Sequence, residues 1–314
     1  MSNGLLYAIT VLVWGSTWLA IEFQLGVVAP EGSVVYRYAG ASLLLFAWSR
    51  LRGLNLAFGL REHGRFFLLG MLLFGLNYIL TYRAQIHISS ALTAIVFTSI
   101  VWLNIVNARI FFGVRAGPRV IVGAILGMAG IVTLFAPQVS ELAMSDTVLY
   151  GSMLAMLGAV IASLGNMASQ AAQHRGLPIV QSNAWGMLYG MFITALIAVV
   201  QGHEFVFDWS PRYVGSLIYL TVFGSVVAFG AYLTLLGRIG AHKAGYAMVM
   251  FPVVALALSA VFEGLEIDAT VIAGTLLVLA GNVFVINAKA RRVRNVASVR
   301  AGALSAAARA VDLE

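Results

Sequence analysis

Cysteine is absent from the chain. No disulfide scaffold, thiolate metal site or cysteine nucleophile can therefore be built. Charge is scarce as well. Asp, Glu, Lys and Arg make up 10% of the 314 residues, where soluble globular chains carry about 25%. The five histidines (His63, His87, His174, His203 and His242) all fall in or near predicted loops. Catalytic signatures are missing too. There is no G-x-x-x-x-G-K-[ST] phosphate loop, no H-E-x-x-H and no G-x-S-x-G. A nucleotide-driven pump is left without its motif, and an intramembrane enzyme without its catalytic set. No cofactor motif is present. Prolines number six, and one of them, Pro252, stands inside the apolar run MVMFPVVALALSAVFEG (248–264).

What is present is hydrocarbon. Apolar residues make up 61% of the chain, and the mean hydropathy is +0.93. That composition predicts an all-α integral membrane protein lying in a lipid bilayer. A spanning helix needs roughly 20 mostly apolar residues. Ten runs qualify: 5–24, 33–51, 66–84, 89–112, 119–136, 147–170, 181–200, 213–237, 243–263 and 269–288. The first has no basic region ahead of it and no clear small-residue cleavage site, so it is read as a retained helix.

The basic residues predict the orientation. With the N-terminus cytoplasmic, sixteen of the nineteen Lys and Arg fall on the cytoplasmic side. They are Arg50, Arg52, Arg61, Arg65, Arg109, Arg115, Arg119, Arg175, Arg238, Lys243 and six in the tail from Lys289 to Arg309. Arg83 and Arg212 fall outside, and Arg37 lies within span 2. The acids Glu31, Glu141, Asp146, Glu204, Asp208, Glu266 and Asp268 mark the opposite side. Ten spans place both termini in the cytoplasm. The net charge of +7 is thus topological. It points to anionic lipid around a disordered basic tail (291–314), not to nucleic acid.

Two halves are visible. LLYAITVLVWG (5–15) aligns with VLYGSMLAMLG (148–158), and GAILGMAGIV (123–132) with GTLLVLAGNV (274–283). Span 1 then matches span 6, and span 5 matches span 10. Five spans per half is odd, so the halves (1–140 and 141–290) are inverted in the membrane. Inverted repeats predict an alternating-access transporter with its substrate between the halves near the midplane. Such symmetry argues against a receptor or assembly subunit, and one chain carrying both halves predicts a functional monomer. Pro252 would break span 9 where a helix can be broken only beside protein or a wet cavity. It is the expected hinge, with Gly15 and Gly158 as repeat-related companions. Counting back 153 residues from Pro252 reaches Ser99, beside Thr98.

W14-G15-S16, P252 followed by E263-G264, and G274…A280-G281 carry a resemblance. The chain resembles the drug/metabolite transporter superfamily, in its ten-helix EamA-type branch, over nearly all of residues 4–288. Span 4 departs from the pattern, with T98-S99 where the family often has proline. Within the branch the chain is most similar to YddG-type exporters of aromatic amino acids. The resemblance implies a multi-pass protein of the bacterial inner membrane. It also implies a basket of helices with spans 5 and 10 peripheral and a cavity lined by the rest.

Polar and aromatic residues cluster in those lining spans. The candidate substrate contacts are Trp14, Trp18, Tyr38, Tyr78, Tyr82, Ser99, Trp102, Ser163, Asn166, Tyr246 and Met250. Rings would stack on an apolar side chain and face an ammonium group, while hydroxyls and amides would donate to a carboxylate. The alternative for Trp18, Tyr38 and Tyr82 is an interfacial belt. No Asp or Glu sits near a predicted midplane, so no proton or sodium carboxylate is expected, and facilitated diffusion or exchange is. Multidrug export of cations and nucleotide-sugar exchange lack the buried acid, or the several cavity bases, that they would call for. Arg37 lies about 6 Å below the predicted start of span 2. It is a candidate carboxylate contact, unless it pairs with Glu22 or snorkels to the surface. Gly186 with Gly190, and Gly123 with Gly127, form G-x-x-x-G pairs for close helix packing.

Overall fold

The computed structural model describes residues 1–141, 145–254 and 269–286. Every regular element among them is helical. Where pieces run on without a break, they are treated as one. The helices are α1 (Asn3–Glu22), α2 (Pro30–Leu51), α3 (Leu60–His87), α4 (Ser90–Phe97 then Ile100–Phe112) and α5 (Pro118–Glu141). The second set is α6 (Asp146–His174), α7 (Ile179–Val200), α8 (Pro211–Ile239), α9 (Gly245–Met250 running on through 251–254) and α10 (Ala269–Ile286). A four-residue helical turn, Ala241–Ala244, joins α8 to α9. The predicted markers Glu263, Gly264, Glu266 and Asp268 and the tail 291–314 lie outside the described residues.

Six helices among the described residues are long and apolar enough to cross a membrane: α1, α3, α4, α6, α7 and α8. Shorter apolar helices cover Pro118–Leu134 and Ala269–Val285. Their starts follow from local chemistry. Ser2, Ser89, Ser145 and Ser210 each cap a helix by accepting a backbone N–H three residues on, which satisfies an orphan donor. Pro30, Pro118 and Pro211 head α2, α5 and α8, where a missing N–H costs nothing. Gly113 ends α4 at φ 68°, a conformation that other residues adopt only with strain.

Packing follows a repeat. α1 packs on α8 as α6 packs on α3. α9 packs on α1 as α4 packs on α6, and α8 on α2 as α3 on α7. α2 pairs with α7, and α5 with α10. Adding five to each label, modulo ten, maps these contacts onto one another. The glycines of α5 and α10 obey the same rule. A Cβ on Gly123 would lie 2.6 Å from the Gly281 carbonyl oxygen, and one on Gly130 would lie 2.7 Å from that of Gly274. The two backbones therefore touch at both crossings, as small residues allow in lipid. Gly186 and Gly190 of α7 meet Gly70 and Phe74 of α3 in the same way.

Irregular winding also recurs. A π-helical stretch interrupts α3 at Gly70–Leu76 and α8 at Leu220–Val227. A non-helical turn at 98–99 splits α4, and α9 begins as a 3-10 helix that ends just before Pro252. Proline cannot tolerate the preceding carbonyls at α-helical spacing, and tighter winding is the local answer. Thr98 covers the corresponding break in α4 by donating to the Ile95 carbonyl at 2.6 Å.

Two apolar cores result. The larger joins α1, α2, α3, α4, α6, α7, α8 and α9. The smaller seats α5 and α10 against α4 and α9. At one edge of the larger core a charged cluster ties α2 to α3. Glu31 is fully buried and accepts from Arg83 Nε at 2.7 Å, with His203 Nδ1 at 3.1 Å from its other oxygen.

Candidate functional site

A cavity of about 60 Å³ lies at the centre of the larger core. α1 contributes Trp14, Thr17 and Trp18, and α3 contributes Asn77, Tyr78 and Thr81. Phe97 comes from the end of the first piece of α4, and Asn166 from α6. Phe229 and Tyr232 come from α8 just past its π segment, and Met248 and Phe251 from α9 on either side of its change of winding. Every broken helix thus presents residues to this space. No Asp, Glu, Lys or Arg lines it. At about 15 Å³ per water it has room for a few waters, so a larger guest requires the walls to part.

The walls are interlocked rings. Trp14 packs on Phe229, Tyr232 and Phe251 with centroids 4.7, 4.9 and 6.1 Å away. Trp18 meets Phe97 at 5.2 Å. Trp14 Nε1 donates to the Gly224 carbonyl at 2.9 Å, inside the π segment of α8. Such a segment leaves carbonyls off the ordinary ladder, and Trp14 satisfies one of them.

Beside Asn166 lies a buried polar knot. Asn104 Oδ1 accepts from Ser163 Oγ at 2.8 Å and from Asn166 Nδ2 at 3.3 Å. Asn107 Nδ2 donates to Ser163 Oγ at 2.8 Å. Tyr232 faces Asn104 and Asn166 from α8 without a well-formed hydrogen bond, and Asn166 Oδ1 is also unpartnered. Both polar atoms belong to residues that line the cavity.

The predicted contacts divide by place. Trp14, Trp18, Tyr78 and Asn166 come together around the cavity, and Ser163 is linked to Asn166 through their shared acceptor Asn104. Tyr38 and Tyr82 are fully buried and not in an interfacial belt. Tyr38 packs against Phe74 and Tyr78, and Tyr82 donates to Gln24 at 2.6 Å in the loop after α1. Ser99 lies at the α4 break and donates to Met156 Sδ at 3.5 Å. Trp102, Tyr246 and Met250 belong to the smaller core and do not reach the cavity. The Tyr246 hydroxyl donates to the Gly123 carbonyl at 2.6 Å and occupies the space that a Cβ at Gly127 or Gly281 would need. A helix presents one face to the cavity and the next to α5 and α10, so span membership could not separate them. Phe229, Tyr232, Phe251 and Met248 were not among the predicted contacts. Phe229 and Tyr232, three apart, carried the signal of a shared helix face.

Of the hinge candidates, Pro252 is buried between cavity residue Phe251 and Val253. A Cβ on Gly15 would lie 2.8 Å from Val254, and one on Gly158 would lie 3.2 Å from Phe97. Both glycines allow close helix approach. Arg37 is 1% exposed and does not snorkel, nor does it pair with Glu22. Its Nε donates to Ser225 Oγ at 2.8 Å.

Among the described residues the chain is a bundle of helices, six of them long and apolar enough to cross a membrane, around a neutral cavity, which is the architecture of an integral membrane protein. Residues 2–136 and again 149–287 match the EamA-like transporter family, and the chain belongs to that family and is not an enzyme. It is 24% identical over 274 residues to the uncharacterized transporter YoaV of Bacillus subtilis, covering 86% of this chain and 91% of that protein. It is 26% identical over 257 residues to the uncharacterized inner membrane transporter YedA of Escherichia coli, with 81% and 80% covered. The protein PagO of Salmonella typhimurium is 20% identical over 270 residues, with 85% and 87% covered. A solved crystal structure superposes with a TM-score of 0.73 over 90% of this chain and 96% of its own, at 20% identity. That likeness bears on the fold alone.

Proposed function

We propose that the chain is a secondary exporter of small amphipathic metabolites, above all aromatic and other apolar amino acids. The observation that carries this reading is the cavity, a ring-lined space with neutral polar atoms and no acid. Aromatic faces accept rings and aliphatic chains. Asn166 Oδ1 and the Tyr232 hydroxyl, both on lining residues and without well-formed hydrogen bonds, suit an ammonium group. The absence of a lining acid disfavours cationic drugs and a proton carboxylate alike. Transport is facilitated diffusion or exchange without ATP.

The frame for this is ten spans in two inverted repeats, 1–140 and 141–290, with both termini and the basic tail in the cytoplasm. The five-step exchange of packing partners, the paired irregularities and the two separate family matches support it. The protein works as a monomer in the bacterial inner membrane, with Pro252 and the π segments as the places where the walls part. The test is uptake of labelled phenylalanine into proteoliposomes without ion gradient or ATP. Saturable flux inhibited by related amino acids is expected. Flux only under a proton or sodium gradient would overturn the uncoupled mechanism. None under either condition would overturn the substrate class.

A further inference from the structure

Among the described residues two charged side chains are buried, Glu31 at the edge of the larger core and Arg37 against the cavity residue Tyr78. Arg37 sits in α2, seven residues past Pro30, which is about 10 Å along the helix. Its surroundings are unusual for a guanidinium. No carboxylate among the described residues pairs with it: the ion pairs there are Arg65–Glu62, Arg83–Glu31 and His203–Glu31. Nε is held by Ser225 at 2.8 Å, and Nη2 is 3.5 Å from the Tyr78 hydroxyl. Nη1 is buried without a well-formed hydrogen bond, and the Tyr82 hydroxyl also faces the guanidinium. The guanidinium lies 4.5 Å from the Tyr78 ring centroid and 5.3 Å from that of Tyr38.

An arginine cannot shed its proton in a protein, so this charge persists in low dielectric. Ring faces compensate a cation only in part, and an unmatched buried donor is costly. If Arg37 served packing alone, an apolar side chain of similar length would suffice. Two features tie it to the cavity wall. Tyr78 covers the guanidinium and also lines the cavity, so one ring stands between the charge and that space. Gly224, whose carbonyl holds the cavity residue Trp14, lets Nη2 pack closely against the same π segment, where a Cβ would stand 3.2 Å away.

We propose that Arg37 is an anion-binding residue of the transport site. When Tyr78 turns aside, Nη1 and Nη2 receive the carboxylate of the substrate. This deepens the reading above and rests on its cavity. It adds that transported molecules must carry a carboxylate, whatever the rest of the molecule is. Ser225 acts as a positioning residue that fixes Nε and leaves the two terminal nitrogens for the guest, a fork that suits a carboxylate.

The test is a thermal-shift panel on the purified full-length protein in detergent. The probes are phenylalanine, 3-phenylpropanoate, phenethylamine, phenylalanine methyl ester and the ring-free carboxylate succinate. Carboxylates are expected to stabilise the wild type, and the amine and ester to do so at least about tenfold more weakly in apparent affinity. R37M should erase that preference, and R37K should keep it with weaker binding. S225A should weaken carboxylates without improving the amine. If R37M does not fold, R37K and S225A carry the comparison. Equal binding of acids, amine and ester, no shift from any carboxylate, or a carboxylate preference that survives R37M would each overturn the anion site. Stabilisation by succinate with none by phenylalanine would leave the anion site standing and remove the aromatic amino-acid reading. Phenylalanine flux with equal binding of its ester would do the reverse.

Discussion

Trp14 and Tyr246 show how similar residues in adjacent helix faces take different work. Trp14 lines the cavity and holds a π-segment carbonyl. Tyr246, on α9, holds a carbonyl of α5 in the smaller core. W14F keeps a ring and loses the hydrogen bond, worth about 0.5–1.5 kcal/mol. It should raise KM several-fold in a flux assay. Y246F loses a bond of the same kind and should lower thermal stability by about 1 kcal/mol while leaving KM near that of the wild type. The reverse pattern would exchange their roles. His242, in the turn between α8 and α9, is a third case. Burial, and then the neighbouring Lys243, push its imidazole down to about 4 from 6.5. The folded protein therefore holds it neutral while the unfolded chain takes up a proton below about 6.5. This contribution to stability is complete above that pH and is lost as pH falls from there towards 4. A Tm profile of H242Q should be flatter than the wild type's over that window, and parallel profiles would remove the assignment.

At the level of elements, much was legible because a spanning run leaves a long record. Where the structure describes the apolar runs, helices lie on them, with most ends within a few residues, while the end of the ninth falls outside the described residues; the glycine alignment of 123–132 with 274–283 reappears as the symmetric contact of α5 with α10. The π segments were not legible. GMLLFGL and LTVFGSVV carry glycine and β-branched residues that are weak helix formers in water, but glycine is frequent in spanning helices, so they did not mark a change of winding. The direction of each side chain was lost too. In lipid both faces of a helix are apolar, so hydrophobic periodicity does not mark the inside, and Trp102 could not be told from Trp14. Two predictions belong here. G130L forces the α5 and α10 backbones apart at Gly274. It should cost about 1–3 kcal/mol of stability, as overpacking does, read as a lower Tm. Replacing Arg83 by Met takes the arginine from the buried carboxylate of Glu31 and leaves it only His203. A fully buried pair loses 3–5 kcal/mol when broken, and because Arg83 is about one-third exposed a loss nearer 2 kcal/mol is expected. E31Q/R83M together should recover part of it. A double variant no better than R83M would show that Glu31's charge is not the source of the loss.

For the whole molecule the decisive quantity is the charge inside the bundle during a transport cycle. With the cavity empty, Arg37 has no acid partner among the described residues; with a carboxylate bound, the pair is close to neutral. On the alternating-access cycle proposed above, the carrier passes through a closed state from which water is expelled. An uncompensated charge is more costly there than a paired one. The loaded carrier should therefore reorient faster than the empty one, so exchange should outrun net export. The measurement is efflux of labelled phenylalanine from proteoliposomes into buffer with or without saturating unlabelled phenylalanine outside. A barrier difference of about 1 kcal/mol corresponds to roughly fivefold acceleration by the outer substrate. In R37M, or whichever Arg37 variant folds without the charge, that ratio should approach one. Equal efflux with and without outer substrate in the wild type would mean that the empty carrier returns as readily as the loaded one. The charge at Arg37 would then set which molecules are bound and not the rate at which the two halves exchange their openings.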